Sequence, residues 1–184
     1  RPGTDGLFAF ALIHELLRSD RIDLDFLVRS TNAHWLVIRD PGGPEDGLFA
    51  RDEAGRPLCA ARDAAGTRLL PADAIGLSPA IVGEVVLPDG RRALPAFQSI
   101  AERYLDPQYA PDAVAARCGV PADTIRRLAR ELADAAFDSG LELPIPWTDA
   151  WGRRHETMIG RPVAMHAMRG ISAHSNGFHT CRAL

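Results

Sequence analysis

The chain has 184 residues, with 21 basic and 24 acidic side chains and a formal net charge of −3. Hydrophobic residues make up 46% and charged residues 24%, which is typical of a globular protein and excludes global disorder. All 21 basic residues are arginine, so a Walker-type phosphate lysine and a Schiff-base lysine are excluded, and the mild acidity argues against coating nucleic acid by bulk charge.

The first elements are indicated by capping residues and hydrophobic periodicity. Residues 4–18 predict a helix with Thr4 as its N-cap and Asp5 in its first turn. A short helix is expected at Leu24–Ser30, and residues 34–39 favour a strand. The first helix is expected to bury the face formed by Leu7, Phe10, Ile13, Leu16 and Leu17.

The residue pattern between residues 47 and 92 differs from that of the preceding helices. Short apolar runs alternate with turn signals there, ending in Pro88-Asp89-Gly90. This pattern predicts a β-rich insertion of short strands and loops, peripheral to the core.

Residues 95–137 predict a helical segment. One helix covers 95–105 and another covers Pro111–Cys118, ending at Gly119 in a C-terminal cap position. A third helix follows Pro121 and runs to about Phe137. Residues 162–168 are expected to form a buried parallel strand, followed by a loop at 169–177.

Four motifs, in order along the chain, carry a resemblance to a known family. They are Arg-Pro-Gly-Thr-Asp-Gly at 1–6, Thr-Asn-Ala-His-Trp-Leu-Val at 31–37, the segment from Tyr-Ala-Pro-Asp at 109–112 to Cys-Gly-Val-Pro-Ala-Asp-Thr-Ile at 118–125, and Arg-Gly-Ile-Ser-Ala-His-Ser-Asn-Gly at 169–177. The chain resembles the middle of the catalytic subunit of molybdopterin-guanine-dinucleotide oxidoreductases, the family of dimethyl sulfoxide reductases, formate dehydrogenases and nitrate reductases.

The resemblance implies a fold, a cofactor and a set of site residues. The fold would be an α/β, Rossmann-like parallel-sheet segment, with residues 1–184 as an internal part of one cofactor-binding domain. The cofactor would be molybdopterin guanine dinucleotide with molybdenum or tungsten. The residues matched to cofactor binding are Gly3, Thr4, Asp5, Arg169, Gly170, His174, Asn176 and Gly177.

The resemblance also implies parts that lie outside this chain. The two ends of the chain suggest a piece of a longer protein. The expected partners are therefore the remainder of a parent catalytic chain, a small-molecule substrate and an electron-transfer subunit. The resemblance implies an iron–sulfur cluster in the N-terminal part of the parent. In this chain Cys59, Cys118 and Cys181 form no Cys-x-x-Cys pair, so the spacing gives no support for a local cluster. No metal ligand and no catalytic residue is assigned in this chain, and the fragment alone is expected to be inactive.

Two alternatives from other functional classes stay open at this point. Residues 110–132 imitate a DNA-binding helix-turn-helix, with a short helix, a glycine turn and arginines on the second helix. A non-catalytic interaction module that binds no cofactor is the other alternative. Structural interpretations are favoured for His166, His174 and His179 as ordinary hydrogen-bonded histidines and for Arg126, Arg127 and Arg130 as a solvated helix face.

Overall fold

The computed structural model describes residues 1–63, 66–73, 78–149, 152–164, 166, 172–173 and 177–178. In chain order the helices and strands are α1 (Asp5–Arg18), α2 (Leu24–Ser30), β1 (Leu36–Arg39), β2 (Leu58–Asp63), β3 (Gly66–Pro71), β4 (Val85–Val86), β5 (Arg92–Pro95), α3 (Ala96–Tyr104), α4 (Pro111–Cys118), α5 (Ala122–Ala133), β6 (Leu141–Leu143), β7 (Trp147–Thr148), β8 (Arg154–His155) and β9 (Met158–Gly160). The predicted α/β class is confirmed.

The chain divides into two compact units. Unit 1 comprises Arg1–Ile22, Tyr104–Thr148 and Arg154–Leu184, and unit 2 comprises Asp23–Arg103 and Asp149–Arg153. Each unit therefore brings together segments that are distant in the sequence, whereas the sequence suggested one cofactor-binding domain with an insertion.

Unit 1 is built around α1, α4 and α5. Its hydrophobic core consists of Ala11, Leu12, Val114, Cys118, Ile125 and Ala129. Pro111 occupies the first turn of α4, where its missing N–H costs nothing, and Gly119 ends that helix with φ +81. A wider helical turn at Asp134–Asp138 extends α5, so the prediction of a helix reaching Phe137 is confirmed.

The buried face of α1 differs from the expected one. Ala11, Leu12, His14 and Glu15 are its buried residues, whereas the five residues predicted to be buried keep intermediate exposure. Ala11 and Leu12 belong to the core that α1 shares with α4 and α5, and the Phe10 ring packs at a tilt against that of Tyr104 with centroids 4.9 Å apart. Periodicity located the helix but not the direction from which its partners approach it.

Two short antiparallel ribbons complete the described part of unit 1. β6 pairs with β9, and β7 pairs with β8. The indole of Trp147 stacks on the imidazole of His155 at 4.6 Å and donates a hydrogen bond to the Thr157 carbonyl oxygen at 3.0 Å. Leu141 and Ile159 are more than half exposed on the β6–β9 ribbon.

Unit 2 contains a three-stranded sheet and a hairpin. The sheet has the order β1-β5-β4, and β2 pairs with β3 in register from Leu58↔Pro71 to Asp63↔Gly66. Its core is formed by Leu36, Ile38, Ala50, Leu58, Ala60, Val85, Leu87 and Ala93. The amide of Ala96 donates to the Trp35 carbonyl oxygen at 2.8 Å, which fixes the start of α3 beside β1.

The parallel sheet expected from the resemblance is not found among the described strands. Every strand pair there is antiparallel. Parallel strands need a crossover of a dozen or more residues, whereas β2 and β3 follow each other almost directly. The short, turn-separated runs of this sequence suit antiparallel pairing, so the Rossmann-like part of the prediction is corrected.

Residues 47–92 are not peripheral within their own unit. They form the short strands that were predicted, β2, β3 and β4, but they also supply Ala50, Leu58, Ala60, Val85 and Leu87 to the core of unit 2. The correction has a simple reason. Strands β1 and β5 are four residues each and can bury a core only if this segment covers them.

The buried strand predicted at 162–168 is also corrected where it can be seen. Pro162 and Ala164 are exposed and lie outside any strand, and the Val163 amide donates locally to the Arg161 carbonyl oxygen at 2.8 Å. His166 is exposed, whereas residues 165, 167 and 168 lie outside the described residues.

Candidate functional site

The first candidate site is the turn that begins α1. Gly3 adopts φ +76, a conformation that favours glycine, and a Cβ built on it meets no atom within 4 Å. Thr4 occupies the N-cap position, but its hydroxyl donates to the Arg1 carbonyl oxygen at 2.6 Å rather than capping the helix. The first amides of α1 therefore lack a side-chain cap, which leaves them open to an external acceptor.

Asp5 presents an accessible carboxylate at this turn. Its side chain is exposed in the first turn of α1 and makes no hydrogen bond or ion pair among the described residues. A carboxylate in this position stabilises the helix dipole and can also accept hydrogen bonds from an N–H pair of a ligand. Among the described residues no atom lies within 4 Å of a Cβ at Gly3, so this face of the turn is accessible.

The turn is attached to the end of α4. The Arg1 nitrogen donates to the Cys118 carbonyl oxygen at 2.6 Å, and the Arg1 side chain comes within 3.2 Å of a Cβ built on Gly119. Two motifs separated by more than 100 residues are thus brought together, because α1, α4 and α5 share one core.

The second candidate site is only partly described. Arg169, Gly170, His174 and Asn176 lie outside the described residues. Gly177 is buried, and a Cβ at this position would stand 2.1 Å from the Ser172 carbonyl oxygen, so no larger residue fits without a backbone shift. The roles assigned to these residues and to Gly3, Thr4 and Asp5 stay predictions, as does the pterin cofactor.

Two histidines are buried that the sequence did not indicate as buried, His14 and His34. His14 donates from Nδ1 to the Tyr104 carbonyl oxygen at 2.8 Å, next to the ring cluster of Phe10, Tyr104 and Tyr109. His34 donates from Nε2 to the Ala72 carbonyl oxygen at 3.1 Å, and its Nδ1 finds no partner in the part of the chain that the structure describes. Only the apolar residues that flank them could have indicated their burial.

A buried carboxylate lies in the tight turn between β7 and β8. The Asp149 side chain, 2% exposed, accepts from the Arg153 amide at 2.9 Å and from Arg153 Nε at 3.1 Å. Arg29 Nη1 lies 3.4 Å from the same carboxylate. This arrangement compensates a buried charge and gives the residue a structural role.

The thiols do not form a reactive centre in the described part of the chain. Cys59 is fully buried, and burial raises the pKa of its thiol to about 11, so it stays protonated and weakly nucleophilic near neutral pH. Cys118 is also buried, and Cys181 lies outside the described residues. Among those residues, no group of three or more histidine, cysteine or carboxylate side chains is placed to hold a metal ion.

The structure contains the predicted helix-turn-helix, but two of the arginines on its second helix are paired with carboxylates. α4, Gly119 and α5 form such a unit. Arg126 forms ion pairs with Asp112 and Asp123, and Arg127 pairs with Glu131 at 2.7 Å, which confirms the solvated-face interpretation for these two arginines. Guanidinium groups already paired with carboxylates are poor phosphate contacts, so the structure adds no support for DNA binding.

The described structure thus defines an α/β chain with an accessible, uncapped helix start. No protein-family profile matches it. The chain is 47% identical over 193 aligned residues to a sulfite dehydrogenase subunit from Allochromatium vinosum, and the match covers 100% of this chain and 20% of that protein. The chain therefore spans about a fifth of the length of this curated relative.

This match corrects the identification suggested by the four motifs. The sequence analysis predicted a bis-pterin catalytic subunit of the dimethyl sulfoxide reductase, formate dehydrogenase and nitrate reductase type. The relative is named for sulfite dehydrogenation, and its name includes neither a pterin dinucleotide nor an iron–sulfur cluster. We therefore replace that identification and the function derived from it with similarity to a sulfite dehydrogenase subunit.

The match also bears on the expected partners. The relative is named as one subunit of its enzyme, which is consistent with an assembly of several chains. In the part of the chain that the structure describes, no helix has both the length and the apolar character needed to cross a bilayer.

Proposed function

We propose that this chain is a segment of an oxidoreductase that dehydrogenates sulfite. The observation that supports the proposal is the 47% identity to the Allochromatium vinosum sulfite dehydrogenase chain, which extends over the whole of this sequence rather than over one motif. Identity at this level across helices, strands and loops indicates that the corresponding part of the two proteins has the same structural role.

The reaction has a defined balance. Sulfite takes up an oxygen atom from water and gives sulfate, with release of two protons and two electrons. The electrons need an acceptor, so we propose an electron-transfer partner for the complete protein. In this segment the uncapped amides at the start of α1 are candidates to bind an anionic group, and the accessible Asp5 carboxylate is the candidate acceptor for an N–H pair of a bound ligand.

The test uses the complete protein purified with its associated subunits. We expect sulfite-dependent reduction of an artificial one-electron acceptor, with two acceptor molecules reduced for each sulfate formed. Formate replaces sulfite in the control reaction and should support no reduction. Acceptor reduction without sulfate formation, or equal rates with formate, would contradict the proposed substrate.

A matched pair of variants tests the contribution of the candidate site. Asp5 and Asp123 are both exposed acids in the first turn of a helix. Asp5→Asn should lower sulfite-dependent turnover because it replaces one acceptor oxygen, proposed to face the N–H pair of a bound ligand, with a donor, whereas Asp123→Asn should leave turnover unchanged. Equal turnover in the two variants would leave Asp5 with a helix-start role only, without affecting the test of the substrate.

A further inference from the structure

Helix α1 has apolar residues on two opposite sides, and only one of these sides contributes to the core of unit 1. Ala11 and Leu12 belong to that core together with residues of α4 and α5. Ile13 lies about 160° around the helix from Ala11, because successive residues of an α-helix are about 100° apart. We call the residues on this second side, which follow one another at helical spacing, the apolar stripe: Ala9, Ile13, Leu16 and Leu17.

The apolar stripe is accessible in the structure. All four of its residues keep intermediate exposure, and none of them belongs to the hydrophobic core formed by the described residues of unit 1. The neighbouring Phe10 differs, since its ring packs against those of Tyr104 and Tyr109 at centroid distances of 4.9 and 5.5 Å. The stripe has no charged side chain and no hydrogen-bonding side chain, so the surface that fits it is apolar.

The sequence indicates burial on this side of α1 that the described residues do not provide. Ile13, Leu16 and Leu17 are expected to be buried from their helical spacing, and a helix that is apolar on nearly all sides is normally buried on all of them. In the structure α4 and α5 cover the side with Ala11 and Leu12. The second side therefore has the composition of a buried surface without the cover of one.

Two observations indicate what kind of element covers the stripe. The helix rises only about 12 Å from Ala9 to Leu17, and four side chains over that length bury far less than the ~800 Å² per partner typical of stable complexes between separate chains. A contact of this size is sufficient within one polypeptide, where docking does not cost the translational and rotational freedom of a second molecule. The Allochromatium vinosum relative supplies such a polypeptide, because the matched region is 20% of it.

We propose that the apolar stripe of α1 is a docking surface for an apolar element of the same polypeptide that lies outside residues 1–184. The element packs an uncharged face against Ile13, Leu16 and Leu17, and the small side chain of Ala9 allows close approach at one end. The proposal rests on the proposed function only in treating this chain as a segment of a longer protein. It does not depend on sulfite being the substrate.

The first test is hydroxyl-radical footprinting of the complete wild-type protein, read by mass spectrometry and normalised to the same protein in denaturant. Ile13 is compared with fully buried Ile125, and Leu17 with Leu12, which is 7% exposed. We expect the normalised oxidation of Ile13 and Leu17 to fall to the level of these matched residues. Oxidation clearly above that level, as intermediate exposure predicts, would overturn the proposal. Lack of sulfite turnover in the same preparation would contradict the proposed function and leave this comparison unchanged.

The second test identifies the covering element by photo-cross-linking. Benzoylphenylalanine in place of Ile13 in the complete protein should cross-link to a peptide outside residues 1–184, in a product that keeps the mass of one chain on a denaturing gel. The matched control places the same group at Arg127, an exposed residue of α5 that pairs with Glu131, and should give no cross-link to that peptide. Cross-links from position 13 to a second copy, to a separate subunit or to lipid would overturn the proposal.

Discussion

Arg29 Nη1 lies 3.4 Å from the carboxylate of Asp149, although 120 residues separate the two in the chain. Arg29 Nε also pairs with Asp25 at 2.6 Å. The two carboxylates differ strongly in environment, because the Asp149 side chain is 2% exposed and that of Asp25 is 69% exposed. The same arginine thus has one buried and one solvated partner.

Because of this difference in exposure, the same substitution at Asp149 and at Asp25 should lower the free energy of unfolding by different amounts. Asp149→Ala should lower the free energy of unfolding by about 3 kcal/mol, since the Arg153 amide, Arg153 Nε and Arg29 Nη1 lose the buried acceptor they share. Asp25→Ala should cost less than about 1 kcal/mol, as is usual for an exposed pair. Chemical denaturation of the two variants and the wild type provides the measurement, and similar costs would contradict a buried role for Asp149.

The packing of the unit 1 core predicts how much stability is lost when one buried side chain is shortened. Ile125 is fully buried between α1, α4 and α5, so Ile125→Ala should lower the free energy of unfolding by about 2–5 kcal/mol. Ile159→Ala makes the same chemical change on the β6–β9 ribbon, where the side chain is 62% exposed, and should cost less than about 1 kcal/mol. A large loss on Ile159→Ala would show that this surface is covered in solution.

Burial predicts the reactivity of two thiols. With a pKa of about 11, the Cys59 thiol should not react with a disulfide reagent at pH 8 while the protein is folded, and fully buried Cys118 should be equally protected by lack of access. The experiment is done on a Cys181→Ser variant, so that only these two thiols are counted. Both should react at once in denaturant, and rapid reaction of either without denaturant would be inconsistent with the described packing.

The pair of Arg21 and Asp138 predicts a dependence of stability on acid. The hydrogen bond from Arg21 holds the pKa of the Asp138 carboxyl below its ordinary value, so the unfolded chain binds this proton at a higher pH than the folded one. The stabilisation is therefore present above the unfolded pKa of about 4 and is lost as the pH falls through the lower, folded pKa. Asp138→Asn should flatten the fall in thermal stability below pH 4.

Arg21→Gln tests the same pair from its other side. It should flatten the acid dependence in the same way, and the double variant should add little to either single one, because both changes remove one interaction. Independent, additive effects would mean that Asp138 obtains its lowered pKa from a group other than Arg21.

Local signals in the sequence located several elements with accuracy. The prediction of Leu24–Ser30 coincides with α2, and the side chain of Asp23 caps this helix by accepting from the Phe26 amide at 3.0 Å. The prediction of Pro111–Cys118 coincides with α4, because proline at a first turn and glycine after a last turn act within a few residues. Such features depend on backbone conformations that neighbouring residues determine.

The candidate site was predictable only in part. The sequence indicated Gly3, Thr4 and Asp5 at a helix start, and the structure places them there, but Thr4 turns its hydroxyl back to Arg1 instead of capping. Asp149 had no local signal of its own, because its burial depends on an arginine from α2.

The sequence by itself determined where most helices begin and end, the α/β class and the short strands of residues 47–92, since turn residues and hydrophobic periodicity act over short distances. Only the tertiary structure decided that α1 buries the face with Ala11, Leu12, His14 and Glu15 rather than the predicted one, and that residues 47–92 belong to a core. Which surface an element buries depends on segments far away in the chain, whose approach is set by packing and antiparallel pairing rather than by local propensity.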